Sequence, residues 1–272
     1  MTAFTQALRA EVAKVTTTRM WWVIAIVMVG YVALMAGGLG AALGFASGQD
    51  GGGLPPGIDL SSTIYSFATG IGYVFPVIVG ALAVTGEFRH QTVTPTFLAV
   101  PRRGLALGAK FVVQSGLGAL YGVLAFAASI GAGALALGLA GLETGLGTSA
   151  VWLLVLRGVV AMALWSAIGV GLGALVRNQV AAIVIVLAFT QFLEPILRLV
   201  ALLTSATQAV GQFLPGAASD GLVGASFLSV GGLGGGGGVA ILDWWQGGLV
   251  LLAYAVLATV GGYLTTWRKD VT

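Results

Sequence analysis

The sequence predicts an all-α integral membrane protein with six transmembrane helices, and three observations predict it. Of the 272 residues, 58% are hydrophobic and only 8% are charged, where soluble domains carry about a quarter charged residues. Six stretches with at most one or two charges are each long enough, at about 1.5 Å per helical residue, to cross a hydrocarbon core roughly 30 Å thick. Bases are confined to alternate connections between those stretches. A chain with a mean hydropathy of +1.01 cannot clothe its surface in polar side chains, so lipid is its outer solvent. Barrel strands would be about ten residues long with alternating polarity, and no such alternation is visible.

The first element is an interfacial helix at residues 1–19, because Phe4, Leu8, Val12 and Val15 recur at helical spacing along one face. Glu11 falls inside that stripe, where lipid would penalise it; it either pairs with Lys14 at i+3 or faces another protein segment. Arg9, Glu11, Lys14 and Arg19 precede an apolar run too long for a signal peptide, so the first span is expected to be retained. The spans are expected at about 20–45, 61–85, 111–139, 149–176, 179–198 and 245–266. A Gly/Pro/Asp loop at 49–59 separates the first two, and a short turn at 141–148 the third and fourth. Glu194, Pro195 and Arg198 mark the far end of the fifth span or a kink there, with an interfacial ion pair at i and i+4.

Between the last two spans, residues 199–243 form a long outer segment. Its apolar first half suits short helices dipping into a leaflet, and the glycine run 234–238 a flexible connector. Residues 1–272 read as one membrane domain with no internal repeat. The glycine pairs 40/44, 118/122 and 169/173 have the spacing that permits close helix approach, a signal that 44 glycines also generate by chance.

Charge orients the chain. Ten bases (Arg9, Lys14, Arg19, Arg89, Arg102, Arg103, Lys110, Arg177, Arg268 and Lys269) fall on one side, and only Arg198 on the other, beside Asp50, Asp59, Glu143, Glu194, Asp220 and Asp243. Both termini are therefore expected in the cytoplasm. The same distribution explains the net charge of +3 without nucleic acid, which would require a soluble basic face.

Chemistry of its own is hard to assemble from this inventory. There is no cysteine, and His90 is the sole histidine, which excludes disulfides and a Cys/His zinc site. His90 reads as a solvated loop residue. The glycine run 231–238 lacks the GK[ST] ending of a phosphate loop. No span holds Asp, Glu or His near its centre, the usual mark of an ion-driven relay, so the energy source is expected outside this chain. Arg157, about nine residues into the fourth span, either pairs with a carbonyl, Glu143 or Glu194, or contacts substrate.

The connection at residues 87–103 is the most specific feature. Thr94 can cap and Pro95 stand at the first helical position, with a short helix at 96–100 stopped by Pro101. It would display Phe97 and Leu98, flanked by Arg89, Arg102 and Arg103. The plain alternative is an amphipathic connector tethered to anionic lipid.

At this loop the chain resembles the ABC-2 type permease subunits of ATP-binding-cassette transporters. The matching pieces are E-x-x-K-x-x-T-T-R-x-x-W at 11–22, GEFRHQTV at 86–93, LAVPRR at 98–103, GALVR at 173–177, FLP at 213–215 and WRKDV at 267–271. In order and topology they span essentially the whole chain. The resemblance implies two permease copies, here a homodimer, working with two copies of a separate ABC ATPase subunit. It also implies that this chain is not an enzyme: it holds no cofactor, while ATP and magnesium reside in the partner. The coupling segment would comprise Glu87, Phe88, Arg89, Thr94, Phe97, Leu98, Arg102 and Arg103, with Glu11 of the interfacial helix facing it or the ATPase. Pro95 departs from the unbroken helical residue the family pattern leads one to expect there.

The function expected is ATP-driven export of a hydrophobic or amphipathic substrate, such as a lipid, drug or peptide, across a bacterial cytoplasmic membrane. The alternatives are a membrane scaffold or assembly factor that recruits a cytoplasmic partner, and a channel. An Ala/Gly/Val/Arg-rich usage is that of a GC-rich bacterium.

Overall fold

A computed structural model describes residues 2–47, 59–99, 102–201, 203–226 and 242–267, all helices and turns. The glycine run 231–238, most of the loop 49–59, Pro101, Arg268 and Lys269 lie outside the described residues. Among the described residues, six helical spans are long and apolar enough to cross a membrane: Met20–Phe45, Leu60–Arg89, Arg103–Leu139, Ser149–Leu175, Gln179–Ala201 and Trp244–Trp267.

Helix α1 (Ala3–Thr17) begins where Thr2 Oγ1 accepts the Thr5 N–H at 3.4 Å, and Thr18 ends it in an extended conformation before α2 (Met20–Ser47). The second span is broken into α3 (Leu60–Tyr65), α4 (Phe67–Gly70) and α5 (Val74–Arg89). Asp59 caps α3, accepting the backbone N–H groups of Ser61 and Ser62 at 3.1 and 3.3 Å. Helix α6 (Val93–Ala99) follows, then α7 (Arg103–Leu139) and α8 (Ser149–Leu175).

The fifth span is α9 (Gln179–Ala188), a π turn at Phe189–Leu193, and α10 (Glu194–Ala201). Pro195 offers no N–H to the Gln191 carbonyl and crowds it, and the widened π turn sits at that point. Short helices α11 (Ser205–Gly211) and α12 (Pro215–Val223) precede α13 (Trp244–Gly262), which runs into a second π turn, Tyr263–Trp267.

The second span is the axis of the bundle: 72% of its most apolar stretch is buried, against 22% for the fifth and sixth. It packs on α8 through glycine. A Cβ at Gly169 would strike the Val77 carbonyl, and one at Gly173 the Ala81 carbonyl. The pairs 118/122 and 40/44 likewise lie against α8 and α7. All three pairs therefore sit at close helix contacts, where dispersion between backbones replaces the hydrophobic drive that lipid removes. Around them Tyr65, Val77, Tyr121, Phe126, Met162 and Trp165 form the main core.

Two sequence expectations change. The third span begins at Arg103 rather than near 111, because residues 103–110 continue the helix and pack beneath α1. Helix α6 starts at Val93, so Thr94 lies inside its first turn and does not cap it. Pro95 falls third in the helix, where an N–H would have no partner inside the helix anyway.

Candidate functional site

The basic end of the bundle gathers α1, the end of α5, α6, the start of α7 and the terminal π turn. Helix α1 turns Phe4, Leu8 and Val15 partly inward and leaves Val12 48% exposed. Glu11, in the middle of the inward face, is buried against α7.

Four charges meet there. Lys14 Nζ lies 2.7 Å from Glu11 Oε1 and 2.6 Å from Glu87 Oε1. Lys110 Nζ lies 2.8 Å from Glu11 Oε2 and 2.7 Å from Glu87 Oε1. Each carboxylate thus touches both ammoniums, and the cluster is neutral as a whole. Lys110 is only 1% exposed, so such groups are tolerable only together: charges taken from water need close, hydrogen-bonded partners. Thr96 of α6 joins through its Oγ1, 3.4 Å from Lys14 Nζ. Burial depresses the Lys14 pKa, but the Glu11 and Glu87 carboxylates outweigh it and hold the ammonium above its usual value.

Beside this cluster lies an aromatic box. Trp267 is buried, and Phe88 and Phe97 meet its ring edge-on with centroids 5.8 and 5.3 Å away, a geometry favoured by the ring quadrupoles. Its Nε1 donates to the Arg103 carbonyl at 3.0 Å. The Arg103 guanidinium stands 4.8 Å from the Phe97 ring centroid, and that of Arg177 6.0 Å from Phe88.

Phe97 is therefore not displayed with Leu98, as the sequence suggested. Helix α6 turns Phe97 in toward Trp267 and leaves Leu98 79% exposed. Helical geometry separates adjacent side chains by about 100°, so only one of the pair can face the bundle.

The structure brings together Glu11, Lys14, Glu87, Phe88, Phe97 and Arg103. Thr94, Leu98 and Arg102 remain exposed on or beside α6, Arg89 donates outward to Gln179 Oε1 at 3.1 Å, and Arg19 lies exposed between α1 and α2. Sequence reasoning assigned no site role to Lys110, Thr96, Trp267 or Arg177. Glu11, misplaced in an apolar stripe, was the one signal that a buried cation had to exist.

Arg157 belongs to the opposite end. Its guanidinium stands 5.1 Å from the Trp244 ring centroid at the start of α13. Among the described residues neither Glu143 nor Glu194 forms a salt bridge with it, and Glu194 pairs with Arg198 at 3.1 Å, the i,i+4 contact anticipated. No group of three or more His, Cys, Asp or Glu side chains among the described residues is arranged to hold a metal ion.

The basic end thus fastens one short helix, by a threonine and a phenylalanine, to the ends of three spans and to α1, while keeping that helix's other face free. The contacts that hold it are ion pairs, a threonine hydroxyl and an aromatic box. None of the curated proteins compared with the chain matches it. Residues 7–192 match the family described as ABC-2 family transporter protein. That stretch contains Glu11, Lys14, Glu87, α6 and Lys110, and with six helices among the described residues able to span a membrane, the chain belongs to the ABC-2 family of transporter membrane proteins.

Proposed function

We propose that the chain is the membrane-spanning permease subunit of an ATP-driven exporter for a hydrophobic or amphipathic substrate. Two copies form a homodimer, and two ABC ATPase subunits, which hold the ATP and magnesium, press on α6. The protein sits in a bacterial cytoplasmic membrane with both termini and α6 on the cytoplasmic side, a reading supported by the ten-to-one distribution of bases. The observation that carries the proposal is the two-faced character of α6. Thr96 and Phe97 tie it to the bundle, while Leu98, Thr94 and Arg102 are open to a partner. A push on the open face travels through the buried cluster to α1, α5 and α7 together.

Leu98→Asp is the test. Leu98 makes no core contact to lose, so the purified variant should unfold at the same temperature as the parent. A carboxylate placed in an apolar partner groove costs about 1–3 kcal/mol or more, so recovery of the co-expressed ATPase should fall about tenfold, and export with it. Normal recruitment and export by a stable Leu98→Asp protein would remove α6 as the coupling element.

A further inference from the structure

The acidic end holds a second buried constellation, around a cavity of about 90 Å³ between the α4–α5 break, the π turn of the fifth span, α10 and α12. Tyr73, Thr190, Gln191, Glu194, Arg198 and Asp220 contribute to its lining. Arg198 bridges two carboxylates, at 3.1 Å from Glu194 Oε1 and 2.8 Å from Asp220 Oδ2. Glu194 Oε1 also accepts the Gly216 N–H in the first turn of α12. A Cβ at Gly216 would meet the Glu194 carboxylate and the Arg198 guanidinium, so a side chain there would have to displace that pair.

One group is left over. Glu194 is 2% exposed, and its Oε2 is buried with no hydrogen-bond partner among the described residues. A buried carboxylate oxygen without a donor is costly, and when both carboxylates are ionised, two against one guanidinium leave the lining one negative charge in excess. The Tyr73 hydroxyl donates to the Thr190 carbonyl at 3.3 Å, so its oxygen is turned into an acceptor. The lining thus holds one carboxylate oxygen, Glu194 Oε2, that no donor reaches among the described residues. Its volume admits a few waters or one small cationic head.

We propose that this cavity binds one primary ammonium group, with Glu194 Oε2 as its counter-ion and the Tyr73 oxygen as a further acceptor. The group would be carried by an amphipathic cargo or by an aminophospholipid headgroup. An ammonium brings three N–H donors on a compact centre; a trimethylammonium brings none and is larger. The exposed Ile196, Leu197, Leu199 and Val200 of α10 offer an apolar surface beside the cavity for the attached chain. The inference rests on the permease reading for its purpose, but not for its test, which requires neither ATPase nor transport.

The full chain is placed in nanodiscs of phosphatidylcholine and phosphatidylglycerol, which contain no primary amine, and its thermal unfolding is followed during titration with n-octylamine or octyltrimethylammonium. Octylamine should raise the unfolding temperature saturably, by about 3–5 °C at tenfold above half-saturation, and the quaternary amine should not. Glu194→Gln should raise the half-saturating concentration about tenfold or more, and Tyr73→Phe by less. Should Glu194→Gln fail to fold, Tyr73→Phe and the comparison of the two amines on the unaltered chain still decide. Equal responses to both amines, a response reproduced by sodium chloride at the same ionic strength, or unchanged affinity in Glu194→Gln would overturn the site. Replacing part of the phosphatidylcholine with phosphatidylethanolamine separates the sources: competition with octylamine identifies a lipid headgroup, and indifference a cargo amine. Amine binding without export would count against the permease reading alone.

Discussion

Replacing Lys110 by methionine tests whether the buried charge cluster holds the basic end together. Methionine keeps an apolar stem one atom shorter than lysine and removes the ammonium. Glu11 Oε2 then loses its contact at 2.8 Å, and Glu87 Oε1 its contact at 2.7 Å. Lys14 remains, so two carboxylates share one cation. Lys110 is 1% exposed, and water cannot easily take its place. Removing one partner from a buried ion pair costs about 3–5 kcal/mol, which for a chain of this size lowers the unfolding temperature by roughly 6–20 °C. Thermal unfolding of the purified protein in a fixed detergent reads this directly. Adding Glu87→Gln restores neutrality, so the double variant should recover a good part of the loss rather than add to it. A single variant within about 2 °C of the parent, or a double variant whose loss is the sum of the two singles, would refute the claim that these charges stabilise one another.

Three further outcomes are expected. Phe97→Ala empties the box against Trp267 and should cost about 3–5 kcal/mol less whatever the partly buried site recovers, visible as a lower unfolding temperature and as faster proteolysis within 90–102, which Leu98→Ala should not produce. Gly169→Val drives a side chain into the Val77 carbonyl and should destabilise by about 1–3 kcal/mol or more. Gly131→Ala, where nothing lies within 4 Å, should be neutral or stabilising in the same assay. Asp59, partly desolvated but held below its usual pKa by hydrogen bonds from Ser62 and Ser61, contributes stability that is present above its unfolded pKa of about 3.9 and is lost as pH falls through its folded one. Asp59→Ala should cost about 0.5–2 kcal/mol at neutral pH, and its unfolding temperature should converge on that of the parent under acid.

How much of this the sequence announced depended on range. The six helical spans follow from run length and polarity, which are local. The third span was placed eight residues short because Arg103 and Lys110 look like the polar edge of a membrane segment. Only the packing of α1 over α7 makes Lys110 an interior residue. Glu11 was legible as an anomaly but its second partner was not, since nothing in the sequence brings residue 110 near residue 11. Phe97 and Leu98 are alike in composition and adjacent, and Trp267, close to the other end of the chain, decides which of them faces inward. At the acidic end the Glu194–Arg198 pair was readable from i,i+4 spacing, whereas Asp220 and the N–H of Gly216 come from a distant short helix. The glycine pairs were indistinguishable from chance until each was seen against a neighbouring backbone.

The interruption of the second span at residues 71–73 gives α5 the character of a lever. Its 16 residues make a rod about 24 Å long, with Glu87 near one tip and Tyr73, beside the acidic cavity, at the other. A rod of that length tilted by about 5° carries its far tip roughly 2 Å, comparable with the radius of a water molecule. Because α3 and α4 are separate pieces, such a tilt does not have to bend a continuous helix. Among the described residues, the two buried charge constellations thus stand near opposite tips of one helix, so a tilt of α5 would shift Glu87 and Tyr73 in opposite directions.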